Sequence, residues 1–130
     1  KKFSQLCRKN SICFVQLISP TTSIKRMKEI IKISHEMVYM ISMISTTGSV
    51  LKVTTKKIMK NYEIIKKINP SKNVAIGFGI TEKTIKSLKN ADGLVVGSAI
   101  CKEITNSIKK RQNTVTNVSN VVRRLKNKII

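Results

Sequence analysis

Val74-Ala-Ile-Gly-Phe-Gly-Ile80, followed by Ala91-Asp-Gly-Leu-Val-Val-Gly-Ser-Ala-Ile100, is the stretch on which the reading of this chain turns. Val74–Ile76 and Leu94–Val96 are short apolar runs of the kind that form buried strands, and each stops at glycine. A segment able to start a helix follows each glycine. Backbone N–H groups can cradle a phosphate where no Cβ blocks the approach, and a helix N-terminus adds the attraction of its dipole. The N–H groups of Gly79, Gly97 and Ser98, with the Ser98 hydroxyl as a further donor, are therefore the expected phosphate ligands.

Working outward, the same alternation runs through the chain. Cys13-Phe-Val-Gln-Leu-Ile18 reads as a strand bounded by Ser19-Pro20, and Ile24 to Ser34 carries Ile24, Met27, Ile30 and Ile31 at helical spacing. Met37 to Ser42 reads as a second strand, ending in a polar Ser45-Thr-Thr-Gly48 turn, so that Gly48 also follows an apolar run. Thr55 to Ile68 places Ile58, Tyr62, Ile65 and Ile68 on one face, and Asn69-Pro70-Ser71 stops it. Thr81 is the expected N-cap of a helix carrying Ile85 and Leu88. Ala91-Asp92-Gly93 is a turn, and a helix is expected from Cys101 to Ile108. Val115, Val118, Val122, Leu125 and Ile129 recur at spacings of three or four in the tail.

Strand alternating with helix implies parallel βαβ units. About four fit in 130 residues, whereas a full (β/α)8 barrel takes about 250. The fold class is α/β, and spacing alone leaves half a TIM barrel and a small open sheet as alternatives. Residues 1–130 are read as one domain, with residues 109–130 as its C-terminal amphipathic helix. In barrels the loops after the strands form the active face, and those after the last two strands often hold phosphate.

Composition excludes several classes. No apolar run reaches the ~20 residues of a membrane span. The 26 basic against 6 acidic residues give +20, which raises RNA binding as an alternative. Against it, lysines are scattered rather than gathered, arginine is scarce beside lysine, and two tyrosines and three phenylalanines offer few stacking platforms. Cys7, Cys13 and Cys101 have no metal-binding spacing, so each is expected to be a small buried hydrophobe in a reducing compartment. His35 is the single histidine, and no metal site is expected.

The quoted stretches, taken with "FVQLISPTTS" and "VYMISMISTTG", resemble in order and spacing the last four strands of the tryptophan synthase alpha chain family, from about Phe3 to Ile104. The resemblance implies the C-terminal half of a (β/α)8 barrel, and a lyase that splits indole-3-glycerol phosphate into indole and glyceraldehyde 3-phosphate without a cofactor. It implies that Gly79, Gly97 and Ser98 bind the substrate phosphate, with Gly48 and Gly77 shaping that pocket. Tyr39 and Phe78 would line the indole side, and Thr47 would belong to a loop covering the substrate. It also implies a tryptophan synthase beta chain as partner in an alpha2-beta2 complex. The expected location is the cytoplasm, or an organelle stroma where a targeting segment precedes Lys1. The family usually reads Gly-Val-Thr-Gly where this chain has Ser45-Thr46-Thr47-Gly48, a change that removes easy access to φ > 0 at position 45.

Acid–base chemistry needs a carboxylate near the reacting carbons. Glu29, Glu36, Glu63, Glu82, Asp92 and Glu103 are the six acidic residues. All are expected in helices or in turns leading into strands, so no catalytic residue is assigned in this chain. The family's catalytic glutamate and aspartate come from the N-terminal half of the barrel, which has no counterpart here. The chain is accordingly read as a fragment, inactive alone. Another phosphate-binding barrel, such as a relative of indole-glycerol phosphate synthase, shares the glycine logic and stands as the alternative enzyme.

Overall fold

A computed structural model describes the backbone of residues 2–41, 43–46, 49–52, 54–77 and 79–130, and the side chains of residues 2–41, 54–77 and 79–130. In chain order the elements are α1 (Lys2–Lys9), β1 (Gln16–Ile18), α2 (Ile24–Ile33), β2 (Met37–Ile41), β3 (Met43–Thr46), β4 (Ser49–Lys52) and α3 (Thr55–Ile68). They continue with β5 (Asn73–Gly77), a 3-10 turn at Ile85–Leu88, β6 (Gly93–Val95), α4 (Ser98–Lys109) and α5 (Thr114–Lys126).

Four strands form one parallel sheet in the order β1-β2-β5-β6. Register partners in adjacent strands share a face, and successive residues alternate faces. Ile18, Met40, Ile76 and Leu94 therefore fall in one row, and Val38 and Val74 in another on the same side. That side is the core. It is closed by Met27, Ile30 and Ile31 of α2, Ile58 and Ile65 of α3, Ile80, Ile85 and Leu88 around the 3-10 turn, and Val121 and Leu125 of α5. The other side carries Leu17, Tyr39, Ala75 and Val95, and there Leu17 is 59% and Val95 44% exposed. Among the described residues, helices cover one face of the sheet and none packs over Leu17 and Val95 on the other.

The helices begin where local chemistry starts them. The Ser23 hydroxyl accepts from Arg26 N, the Thr54 hydroxyl from Lys57 N, and the Asn113 side chain from Thr116 N, each satisfying an otherwise unpaired helical donor. At the opening of the sheet, Lys72 is buried and its ammonium donates to the carbonyls of Ser34 and His35. Arg8 Nε of α1 and the Phe14 N–H reach the two ring nitrogens of His35 at 3.5 and 3.4 Å, and a neutral imidazole accepts at one of them.

Several sequence expectations need correction. The first strand begins at Gln16 rather than Cys13. The Phe14 N–H goes to His35, and its ring meets Phe3 edge-on at 5.2 Å, so this segment is committed to α1 rather than to the sheet. The segment expected as a polar turn from Ser45 forms a β-hairpin instead, with Ser45 opposite Val50 and Thr46 opposite Ser49. The runs Met43-Ile-Ser-Thr46 and Ser49-Val-Leu-Lys52 are rich enough in β-branched residues to pair. Thr81 makes the side-chain bond expected of a cap, its hydroxyl accepting from Lys83 N at 3.3 Å, while its carbonyl accepts from Thr84 N and Ile85 N and the Thr84 hydroxyl takes the Thr81 N–H. The segment it opens is not an α-helix but a short 3-10 turn at Ile85–Leu88. Helix α1 was not foreseen, although Ser4 and Cys7, three residues apart, are its buried positions. Of the cysteines only Cys7 is buried; Cys13 lies outside the strand and Cys101 on the outer side of α4, both exposed.

Candidate phosphate-facing site

The sheet register sets out the site. Gly77 of β5 pairs with Val95 of β6, and these are the last partners of the two strands. Gly79 and Gly97 each follow two residues later, so the two glycine turns leave the C-terminal edge of the sheet from adjacent strands at matching positions. Ser98 opens α4.

The three described glycines at this edge owe their lack of a side chain to different causes. Gly79 has φ 67, a left-handed conformation open to glycine. At Gly77 the reason is steric. A Cβ there would collide with the hydroxyl and ring of Tyr39, which lies on the same face of the sheet as Leu17 and Val95. Gly97 has neither reason, since its φ is −110 and, among the described residues, nothing lies within 4 Å of a Cβ built on it. It is the N-cap of α4, without a side-chain cap bond and without an acidic residue in the first turn. The first N–H groups of that helix therefore have no side-chain acceptor from its own cap.

Tyr39 is half-buried and stands over Gly77, so the structure brings these two expected residues together. Gly79, Gly97 and Ser98 are exposed at the same end. Thr47, Gly48 and Phe78 lie outside the described residues.

The acidic residues sit elsewhere. Glu29 pairs with Arg26 on α2; Glu36 precedes β2; Glu63 and Glu103 lie on α3 and α4. Asp92 precedes β6, where it accepts from Val74 N at 2.9 Å, from the Tyr62 hydroxyl at 3.1 Å and from Lys66 Nζ at 3.1 Å. Burial alone would raise its carboxyl, but the bonds from Lys66, Val74 and Tyr62 outweigh burial and hold it below the ordinary range. Burial, and then Asp92 itself, raise Tyr62. Glu82, in the turn after β5, accepts from Arg124 at 3.0 Å and from Lys128 at 3.3 Å, and these two bonds lower its carboxyl. Asp92 lies in the expected turn entering a strand, whereas Glu82, expected in the first turn of a helix, lies in a turn ahead of the 3-10 segment; the partners of both, 18 to 46 residues away, are not legible from local sequence. Among the described residues no three metal-ligating side chains cluster, and no helix is long and apolar enough to cross a membrane.

Parallel strands in sequence order, helices on one face and paired glycine turns at the C-terminal edge define a segment of a (β/α) barrel. Comparison with known proteins makes the class specific. The family profile described as "Tryptophan synthase alpha chain" matches residues 1–130. The chain is 66% identical over 129 residues to the tryptophan synthase alpha chain of Pelagibacter ubique, covering 99% of this chain and 49% of that protein. It is 33% identical over 130 residues to that of Aquifex aeolicus, covering 97% and 46%. Among solved structures, a mutant tryptophan synthase alpha-subunit from Pyrococcus furiosus matches with a TM-score of 0.73 at 30% identity, covering 97% of this chain and 49% of that one. Tryptophan synthase subunit alpha from Legionella pneumophila matches with a TM-score of 0.77 at 22% identity, a likeness of fold, covering 99% and 47%. The chain belongs to the tryptophan synthase alpha chain family, and it spans about half the length of the curated relatives it matches.

Proposed function

We propose that this chain is the phosphate-gripping part of a lyase that cleaves indole-3-glycerol phosphate to indole and glyceraldehyde 3-phosphate in tryptophan biosynthesis. The observation that carries this reading is Gly97, a glycine that neither its φ nor its protein neighbours require, at the uncapped start of a twelve-residue helix. A phosphate oxygen approaching the N–H groups of Gly97 and Ser98 supplies the missing reason. Gly79, at the matching position of the adjacent turn, contributes a further N–H. Gly48 and Gly77 shape the same pocket, Gly77 leaving room for Tyr39, whose ring lines the indole side with Phe78; Thr47 belongs to the covering segment.

The proton transfers fall to carboxylates outside these 130 residues, since the six acidic side chains here are in helices, in a turn tied to α5 or at the openings of strands. The tryptophan synthase beta chain is the partner by family. The test compares the full-length protein with residues 1–130 alone. The full-length protein should release indole from indole-3-glycerol phosphate and the isolated segment should not. In the full-length protein, inorganic phosphate should shift the amide resonances of Gly79, Gly97 and Ser98. Cleavage by the isolated segment would overturn the division of roles, and silent amides would overturn the phosphate site.

A further inference from the structure

Resting on that reading, we infer that α5 is a positioning strut for the phosphate site, fixing the Gly79 turn against the N-terminal end of α4 through Glu82. Helix α5 is attached at two places. On one side it packs along α4, where Asn117 Nδ2 donates to the hydroxyl of Ser107, a side chain with no exposed surface. On the other side Arg124 Nε donates to Glu82 Oε1 at 3.0 Å, and Lys128, just past the end of α5, donates to Glu82 Oε2 at 3.3 Å and to the Glu82 carbonyl at 3.1 Å. Val121 and Leu125 sink between these attachments into the core that holds Ile80 and Ile85.

Glu82 lies within the turn that carries Gly79. The Thr84 hydroxyl accepts from Thr81 N at 3.0 Å and reaches the Gly79 carbonyl at 3.5 Å, while Thr84 N and Ile85 N close onto the Thr81 carbonyl. Glu82 and Gly79 belong to one hydrogen-bonded turn. One rigid helix thus grips both the element that presents Gly79 and the element that presents Gly97 and Ser98. Anion binding by convergent N–H groups depends on their spacing.

The sign of one substitution separates this role from plain electrostatics. Glu82→Gln removes a negative charge near an anion site, and Coulomb attraction alone would tighten phosphate binding. The strut demands the opposite. In the full-length protein, inorganic phosphate followed at the amides of Gly79, Gly97 and Ser98 should bind E82Q about two- to fivefold more weakly than the parent, the range an exposed ion pair allows. Thermal unfolding should be little changed. Reversing the bridge, with Glu82→Lys combined with Arg124→Glu and Lys128→Glu, should restore affinity relative to Glu82→Lys alone. Unchanged or tighter binding by E82Q, or no recovery on reversal, overturns the strut while leaving the phosphate site standing. Absence of phosphate shifts in the parent overturns the site itself.

Discussion

At the scale of single residues, the three glycines should respond to alanine in three ways. Gly97→Ala adds a methyl group that meets no described protein atom, so stability should change by less than about 1 kcal/mol. Phosphate affinity should nevertheless fall, because the added carbon occupies the ligand's approach. Chemical denaturation beside phosphate titration checks both halves, and an unchanged affinity would show that glycine is not there for an anion. Gly77→Ala drives a Cβ into Tyr39 and should cost about 1–3 kcal/mol as an overpacked contact. Adding Tyr39→Ala should recover part of that loss; if the double variant is no more stable than G77A, the clash is not the reason for glycine.

At the scale of elements, Asp92 joins α3 and β5 to the opening of β6 through the bonds from Tyr62, Lys66 and Val74 N. Asp92→Asn keeps the shape but loses the charge, and should destabilise by about 1–3 kcal/mol in urea unfolding. The folded-state carboxyl lies below its ordinary value. Its contribution is therefore fully present above the unfolded-state value near 4 and is lost as pH falls through the lower folded value. The parent should lose stability on acidification below about pH 5, and D92N should show a flatter profile there. Equal slopes would mean that Asp92 is not an ionised clamp.

How much could be read in advance differs by element for the same physical reason. Helix α3 was readable from Thr55 to Ile68 because its signals are local: an apolar face of period 3.6, Thr54 before it and Asn-Pro behind it. The four parallel strands were readable because each is an apolar run between breakers. The 3-10 turn at Ile85–Leu88 was not, since Ile85 and Leu88, three residues apart, fit the spacing of either helix type. The hairpin was missed because polar Ser45 and Thr46 read as turn while their pairing with Ser49 and Val50 lies across the break. At the site, the glycines were visible in sequence, but their separate reasons were not. Tyr39 meets Gly77 only once β2 and β5 are side by side, and Glu82 meets Arg124 only once the chain has returned 42 residues later.

At the scale of the whole molecule, 26 basic and 6 acidic residues leave most cations without an acidic partner. Self-repulsion then opposes compaction. Raising NaCl from about 0.05 M to about 0.5 M should lift the melting temperature by a few degrees through screening. A flat or falling response would mean that the charge is not a burden on the fold. The sheet face with Leu17 and Val95 bears on the same scale. Residues 1–130 alone should bind a hydrophobic dye strongly, and the full-length protein weakly if that face is enclosed.

The strand order β1-β2-β5-β6 has a consequence for how the molecule is made. Each strand of the parallel sheet lies beside the one synthesised before it, so the sheet can grow by accretion as the chain leaves the ribosome, without waiting for a distant partner. The β3–β4 hairpin is then an excursion in biosynthetic time. It pairs with itself, and the next strand, β5, still docks on β2 with Met37 opposite Asn73. The parallel sheet is accordingly assembled across the hairpin rather than through it, and the growing edge offered by β2 waits only for α3 and β5 to emerge.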